Sequence, residues 1–233
     1  MKAAFFDVTG TLLQENTIPK YLHFLAQNGV FNARQLAAMH RIHAEHKKHH
    51  LTELETTQKL VSLIVRSLKG KPVRRFKALN QLFLKSEHVN FYPYTKKLLS
   101  VLKKRFRLVA VSGAFQDVVE PFAESLGFAA AYGTRLETKN GRFTGKILHN
   151  LTDPSQKKWA VLTYAHHHHG IDLKQSLCFG DMVLDEQMMA EVGFPVALNA
   201  GPGLKRVCRK NGWLSLKHEN LFQGLSKALH QKI

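Results

Sequence analysis

Three short apolar runs in this 233-residue chain each lead into a polar side chain. They are Ala3–Phe6 before Asp7, Arg107–Val111 before Ser112, and Ser176–Phe179 before Gly180 and Asp181. A short apolar run bounded by turn residues predicts a buried strand. Parallel strands place their carboxyl ends along one edge of the sheet, where open α/β sheets bind ligands. The pattern therefore predicts one crevice in which Asp7, Ser112 and Asp181 meet.

Helical patterns separate these runs along the chain. Strands that alternate with helices predict an α/β fold, here a Rossmann-like three-layer core built on a parallel sheet. Phe194–Leu198 is predicted to be a further strand, and Trp213–Leu216 an edge strand. Asn140 and Gly141 stand between two extended segments, which is typical of a β-hairpin.

The segment between the first two strands has helical periodicity and no strand pattern. Its long helical region, Ala33–Ser86, is predicted to break once, at residues 70–72. We interpret this segment as an inserted all-helical cap. The predicted division is a core domain of residues 1–13 and 91–233 and a cap domain of residues 14–90.

Carboxylates are concentrated at the predicted edge of the sheet. Asp185 lies one turn beyond Asp181, so both are expected to face Asp7. Carboxylates that share one place repel each other unless a cation joins them. A site with oxygen ligands alone suits Mg²⁺. Asp7 itself would act as a nucleophile, as a metal ligand or as both.

Groups that bind anions accompany these carboxylates. The hydroxyl of Ser112 and the amide of Gly113 would hold a phosphate oxygen, and Thr11 offers a hydroxyl and an amide. A lysine nearby would neutralise the charge of a transferred phosphoryl group. Lys157 and Lys158, at the start of a predicted helix, are the two candidates.

In this order the motifs resemble those of the haloacid dehalogenase-like phosphohydrolase superfamily, and the helical insertion resembles the cap of its phosphoserine-phosphatase-like branch. The matching segments are Asp7–Leu12, Ser112–Gly113, Lys158, Gly180–Asp181 with Asp185, and the hairpin Asn140–Gly145. The resemblance implies that Asp7 attacks phosphorus and forms an aspartyl-phosphate. The metal ligands that it implies are Asp7, the Thr9 backbone carbonyl, Asp181 and Asp185. The phosphoryl ligands that it implies are Ser112 and Lys158, and we favour Lys158 because it stands in step with Leu162 and with the family pattern.

Two positions depart from that family pattern. Where the family usually has a second aspartate, which protonates the leaving oxygen and later activates water, this chain has Thr9. Threonine does not titrate near neutral pH, so we expect slow turnover of poor leaving groups. The glutamate that meets the substrate ammonium in phosphoserine phosphatases corresponds here to Asn16, with Glu15 beside it. We therefore do not expect phosphoserine as the substrate.

The net charge and the number of cysteines limit which partners and which cellular compartment we expect. Thirty-four Lys and Arg against 17 Asp and Glu give a formal charge of +17, so we expect a polyanionic substrate. Nucleic acid and acidic lipid are less favoured partners, and His43, His46 and His50 are interpreted as a solvated basic face in preference to a metal site. No apolar run reaches transmembrane length, and only two cysteines favour a reducing, cytoplasmic location.

These inferences lead to a Mg²⁺-dependent phosphatase that acts on a phosphorylated anionic small molecule through Asp7 and is slowed by Thr9. One alternative is a phosphotransferase that uses the same intermediate. The other is a catalytically weak member of the fold that binds an anionic partner through its basic surface.

Overall fold

The computed structural model describes residues 1–232, and a seven-stranded sheet forms its centre. The strands are β1 (Ala3–Phe6), β2 (Arg107–Phe115), β3 (Ala130–Lys139), β4 (Arg142–His149), β5 (Leu177–Gly180), β6 (Phe194–Leu198) and β7 (Leu214–Leu216). Their order is β4-β3-β2-β1-β5-β6-β7, and every neighbouring pair is parallel except β3 and β4. The predicted parallel sheet is confirmed, with β1 near its middle.

Helices cover both faces of this sheet. They are α5 (Thr95–Lys103), α6 (Gln116–Leu126) and α10 (Leu221–Lys232) on one face, and α7 (Pro154–His167), α8 (Glu186–Met189) and α9 (Pro202–Asn211) on the other. Side chains of β1 alternate between the two layers: Ala4 and Phe6 join the first apolar cluster, and Ala3 and Phe5 the second. The predicted three-layer core is thus confirmed, and none of the helices that the structure describes is long and apolar enough to cross a membrane.

Four helices lie between β1 and α5 and form the insertion. They are α1 (Thr17–Gln27), α2 (Ala33–Lys47), α3 (Glu53–Leu68) and α4 (Val73–Leu84). Their apolar faces pack together and also against Phe115 of β2 and Phe143 of β4. Side chains of the sheet thus complete the apolar core of the insertion.

The prediction of one break in the long helical region was wrong, because the chain also turns between α2 and α3. His49 adopts a positive φ of 59°, which ends the helical path. The side chain of Thr52 accepts a hydrogen bond from the amide of Glu55, and the Glu55 carboxylate accepts one from the amide of Thr52. This capping box starts a new helix inside a sequence whose periodicity looked continuous.

The chain leaves the sheet and returns to it through two paired segments. The amide of Gln14 donates to the carbonyl of Asn90 at 2.8 Å, and the amide of Tyr92 donates to the carbonyl of Leu12 at 3.1 Å. Two hydrogen-bonded segments beside β1, one before α1 and one after α4, therefore connect the insertion to the sheet. The division into a core domain and a cap domain of residues 14–90 stays a prediction.

The hairpin formed by β3 and β4 is confirmed. Asn140 and Gly141 have φ values of 50° and 71°. A type I′ turn requires a positive φ at both central residues, which glycine and asparagine tolerate best. The turn places β4 at the edge of the sheet beside the insertion.

Candidate active site

Three buried carboxylates meet at the carboxyl edge of the sheet. Asp7 follows β1, Asp181 follows β5, and Asp185 lies in the turn before α8. Each offers an oxygen atom, and these oxygens lie within 4.8 Å of one another. The structure thus brings together the three carboxylates that the strand pattern predicted.

The turn after Asp7 allows this close approach. Gly10 has a φ of 89°, and a Cβ atom there would lie 2.0 Å from Oδ2 of Asp181, so no side chain fits. The hydroxyl of Thr11 donates to Oδ1 of Asp181 at 2.7 Å. Its single proton is therefore donated within the protein. Phosphate binding by the hydroxyl and the amide of Thr11 stays a prediction.

The lysine that reaches these carboxylates is Lys157. Its buried amine donates to Oδ1 of Asp7 at 2.8 Å and to Oδ1 of Asp185 at 2.6 Å. The sequence-based preference for Lys158 was wrong: the side chain of Lys158 is 45% exposed, and its amine lies 2.7 Å from Oε1 of Glu191.

The direction in which each face of α7 points explains why Lys157, and not Lys158, reaches the carboxylates. Lys157 shares the buried face of α7 with Ala160, Val161 and Tyr164, at the spacing of successive helical turns. Lys158 shares the outer face with Leu162, which is 38% exposed. The error came from assigning Leu162 to the apolar face, although the three residues around it already defined that face.

Removing the amine of Lys157 should destabilise the protein far more than removing that of Lys158. We expect Lys157→Met to lower the free energy of unfolding by about 3 kcal/mol, because two buried carboxylates lose their partner. Lys158→Met should change it by less than about 1 kcal/mol, as is usual for an exposed ion pair. Urea denaturation at pH 8 without divalent cations measures both. Equal losses in the two variants would contradict the placement of Lys157.

Burial controls the ionisation of this site. Burial raises the pKa of Asp7 to about 7 against the opposing effect of Lys157, while the carboxylate of Asp185 raises it further. Burial also holds the pKa of Asp181 well above its ordinary value, and the charge of Asp7 adds to this. For Lys157, burial lowers the pKa, but the carboxylates of Asp185 and Asp7 outweigh that effect and raise it.

Three carboxylates therefore lie beside one ammonium, and burial opposes the ionisation of Asp7 and Asp181. A divalent cation would supply the missing positive charge, and a donor set of oxygen atoms alone fits Mg²⁺. Among the residues that the structure describes, no other group of three His, Cys, Asp or Glu converges in this way. In particular, His46 contacts the carbonyl of Leu51 through Nδ1, and His50 is exposed.

The other predicted site residues differ in their placement. Ser112 is buried in β2, and its Oγ accepts a hydrogen bond from the amide of Ala114 at 3.3 Å, which leaves its own proton for another acceptor. Gly113 follows it in the same strand. Thr9 is half-buried in the loop after Asp7. Asn16 is exposed, and its Oδ1 accepts a hydrogen bond from Nδ2 of Asn90 at 3.0 Å.

Sequence reasoning missed the side chains that hold the loop after Asp7. The hydroxyl of Tyr94 donates to the carbonyl of Thr11 at 2.7 Å and accepts a hydrogen bond from Nδ2 of Asn199 at 2.8 Å. The hydroxyl of Thr95 donates to the carbonyl of Leu12 at 2.8 Å. These residues lie far from the loop along the chain, and no motif marks them.

Comparison with known proteins agrees with this geometry. The family model described as haloacid dehalogenase-like hydrolase matches residues 4–190. A phosphoserine phosphatase of Archaeoglobus fulgidus is 33% identical over 166 residues, which cover 71% of this chain and 45% of that protein. The chain thus spans less than half the length of that relative.

Two solved structures share the fold. A protein of unknown function from Bordetella pertussis superimposes with a TM-score of 0.74 at 21% identity, over 92% of this chain and 97% of the other. A substrate-bound phosphoserine phosphatase superimposes with a TM-score of 0.69 at 22% identity, over 97% of each chain. With the family match across most of its length, the chain belongs to the haloacid dehalogenase-like hydrolases, and within them it resembles the phosphoserine-phosphatase-like branch.

Proposed function

We propose that the chain is a Mg²⁺-dependent phosphatase that hydrolyses a phosphorylated small molecule through an aspartyl-phosphate on Asp7. One observation carries this proposal. Asp7 is a buried carboxylate at the carboxyl edge of the sheet, 2.8 Å from the amine of Lys157 and grouped with the oxygens of Asp181 and Asp185. A positioned carboxylate beside a fixed positive charge is suited to attack phosphorus.

The reaction has two displacements at phosphorus. An oxygen of Asp7 bonds to phosphorus while the bond to the leaving oxygen breaks, and the departing alkoxide takes up a proton from solvent. A water oxygen then bonds to phosphorus and gives a proton to solvent while the bond between phosphorus and Asp7 breaks, which releases inorganic phosphate and restores the carboxylate. In both steps Lys157 neutralises charge, and we assign the phosphoryl oxygens to the Ser112 hydroxyl and the Gly113 amide.

Mg²⁺ would supply charge neutralisation to the transferred group when bound. The residues that we assign to it are Asp7, Asp181, Asp185 and the backbone carbonyl of Thr9. The relative from Archaeoglobus fulgidus, a phosphoserine phosphatase, supports a phosphorylated small molecule as the class of substrate. Both cysteines are buried and unpaired, which supports a reducing cytoplasm as the compartment.

Thr9 favours a second candidate function, phosphoryl transfer to an acceptor other than water. Without a titratable group at this position, water is poorly activated and the aspartyl-phosphate would persist longer. The formal charge of +17 supports the third candidate, a weak enzyme that binds an anionic partner.

A phosphate-release assay separates these candidates. We expect Mg²⁺-dependent release from acetyl phosphate and aryl phosphates, and slower release from alkyl phosphates, because good leaving groups need little protonation. A phosphotransferase would instead move the phosphoryl group to an added alcohol, detected as a phosphorylated acceptor. No release, together with salt-sensitive binding to nucleic acid or acidic vesicles, would support the binding protein and reject the enzyme.

Mg²⁺ should also stabilise the folded protein. At a concentration a hundred times its dissociation constant, a ligand that binds only the folded state adds about 2.7 kcal/mol. We expect the melting temperature to rise with Mg²⁺ in thermal unfolding, and the rise to be largely lost in Asp181→Asn. The same rise in that variant would place the cation elsewhere.

A further inference from the structure

One carboxylate oxygen at the junction of the insertion and the sheet lacks a partner. Oε2 of Glu53, the first residue of α3, is buried and has no hydrogen-bond donor among the residues that the structure describes. Glu55, two residues further along the same helix, accepts hydrogen bonds from the amide and the hydroxyl of Thr52. The lack of a hydrogen-bond donor is therefore specific to Glu53, since Glu55 in the same helical turn has its donors.

Glu53 reaches the loop between β6 and α9, which is hydrogen-bonded to the backbone of Asp181. Its Oε1 lies 3.5 Å from the point that a Cβ atom would occupy at Gly201, and the carbonyl oxygen of Asp181 lies 3.7 Å from the same point. The amide of Gly201 donates to that carbonyl at 2.9 Å. The carboxylate of Glu53 thus lies beside Gly201, the residue whose amide is hydrogen-bonded to the backbone of Asp181.

A buried carboxylate oxygen without a donor destabilises a protein, so such atoms normally have a partner. This chain has 34 Lys and Arg, yet none of the ion pairs among the described residues includes Glu53. Glu53 stands in the first turn of α3, where the helix dipole is positive. Oε2 of Glu53 is thus a hydrogen-bond acceptor for which a bound ligand can supply the donor.

We propose that Glu53 is a specificity-determining residue that accepts a hydrogen bond from a hydroxyl or ammonium group on the leaving group of the substrate. This proposal rests on the phosphatase function above. In-line attack by Asp7 directs the leaving group away from Asp7, and we assign Glu53 to that side. A second anionic group there would be repelled by Glu53, and the substrate is therefore a monophosphate with a donor group and not a polyanion.

Three matched phosphates test this proposal: 2-aminoethyl phosphate, 2-hydroxyethyl phosphate and propyl phosphate. They have similar length and differ in offering an ammonium, a hydroxyl or no donor. Calorimetric binding with Mg²⁺ is measured in the Asp7→Asn protein, which cannot turn them over, with Glu53 intact or as Glu53→Gln. Glu55→Gln, which makes the same charge change on the same helix, is the control.

With Glu53 intact, we expect at least one donor-bearing phosphate to bind about tenfold or more tightly than propyl phosphate, as for a hydrogen bond to a charged group. The ammonium compound binding best would identify a cationic leaving group, and the hydroxyl compound binding best a polyol. Glu53→Gln should abolish this ratio, and Glu55→Gln should keep it. A ratio near one with Glu53 intact, or one that survives in Glu53→Gln, would overturn the proposal.

Failure of the phosphatase function would be visible separately. Phosphate release from acetyl phosphate by the unmodified protein depends on Asp7 and needs no donor on the leaving group. If that release is present and the binding ratio is absent, only the role of Glu53 is rejected. If release is absent while the ratio is present, Glu53 recognises ligands at a site that is not a phosphatase.

Discussion

Asp7→Asn is expected to abolish phosphate release, with kcat lowered by about a thousandfold or more, as when the nucleophile of a covalent mechanism is removed. The amide of asparagine has nearly the shape of the carboxylate but is not a nucleophile for phosphorus, so no acyl phosphate forms. Phosphate release from acetyl phosphate with Mg²⁺ measures the loss. Intact-protein mass spectrometry after rapid acid quench should detect a phosphorylated species in the unmodified protein and none in the variant.

The variant should remain folded, so a loss of phosphate release can be assigned to the missing nucleophile. Burial already raises the pKa of Asp7 to about 7, so the folded protein gains little from its ionised form in the absence of metal. Substitution also removes one of three neighbouring acidic groups, while Lys157 keeps Asp185 as a partner at 2.6 Å. Urea denaturation without Mg²⁺ should show similar stability. A folded Asp7→Asn protein that still releases phosphate at the original rate would exclude Asp7 as the nucleophile.

Thr9→Asp is expected to speed up hydrolysis of poor leaving groups by about a hundred- to ten-thousandfold, the usual contribution of a general acid–base group. Thr9 is half-buried two residues after Asp7, where the family usually has an aspartate that protonates the leaving oxygen. Acetyl phosphate should respond little, because its leaving group needs no proton. The measurement is kcat for propyl phosphate and for acetyl phosphate in the variant and in the unmodified protein.

Thr9→Asn is the matched control for that substitution. Asparagine has the shape of aspartate but neither its charge nor a titratable proton, so it should not raise kcat for propyl phosphate. A gain in both variants would point to altered packing of the loop. No gain in Thr9→Asp would mean that the acid group is already supplied elsewhere, or that a step other than proton transfer limits turnover.

Periodicity and turn chemistry carried most of the fold prediction. Apolar runs marked β1, β5 and β6, and the Asn140-Gly141 pair marked the hairpin, because these signals depend on residues that are close along the chain. The second break in the helical insertion was missed. The capping box at Thr52 is also a local signal, but it follows directly on a stretch of charged residues and histidines that the sequence pattern assigns to one helical region.

The choice between Lys157 and Lys158 shows where local reasoning failed. Both residues stand at the start of one helix, and a rotation of about 100° about its axis decides which reaches the site. Packing of Ala160, Val161 and Tyr164 against the sheet sets that rotation, whereas Leu162 remains exposed. Glu53 was missed for a different reason: its unpartnered oxygen exists only because the insertion folds back onto Gly201.

By itself, the sequence determined the class of fold and the carboxylates at the edge of the sheet, because strand ends and their turns are written in neighbouring residues. Only the tertiary structure decided which lysine is buried between Asp7 and Asp185, that Thr11 donates to Asp181, and that Glu53 lies beside Gly201. These three outcomes depend on how helices rotate and dock against the sheet. That docking arises from many packing contacts between residues distant along the chain, and no short pattern of residues records it.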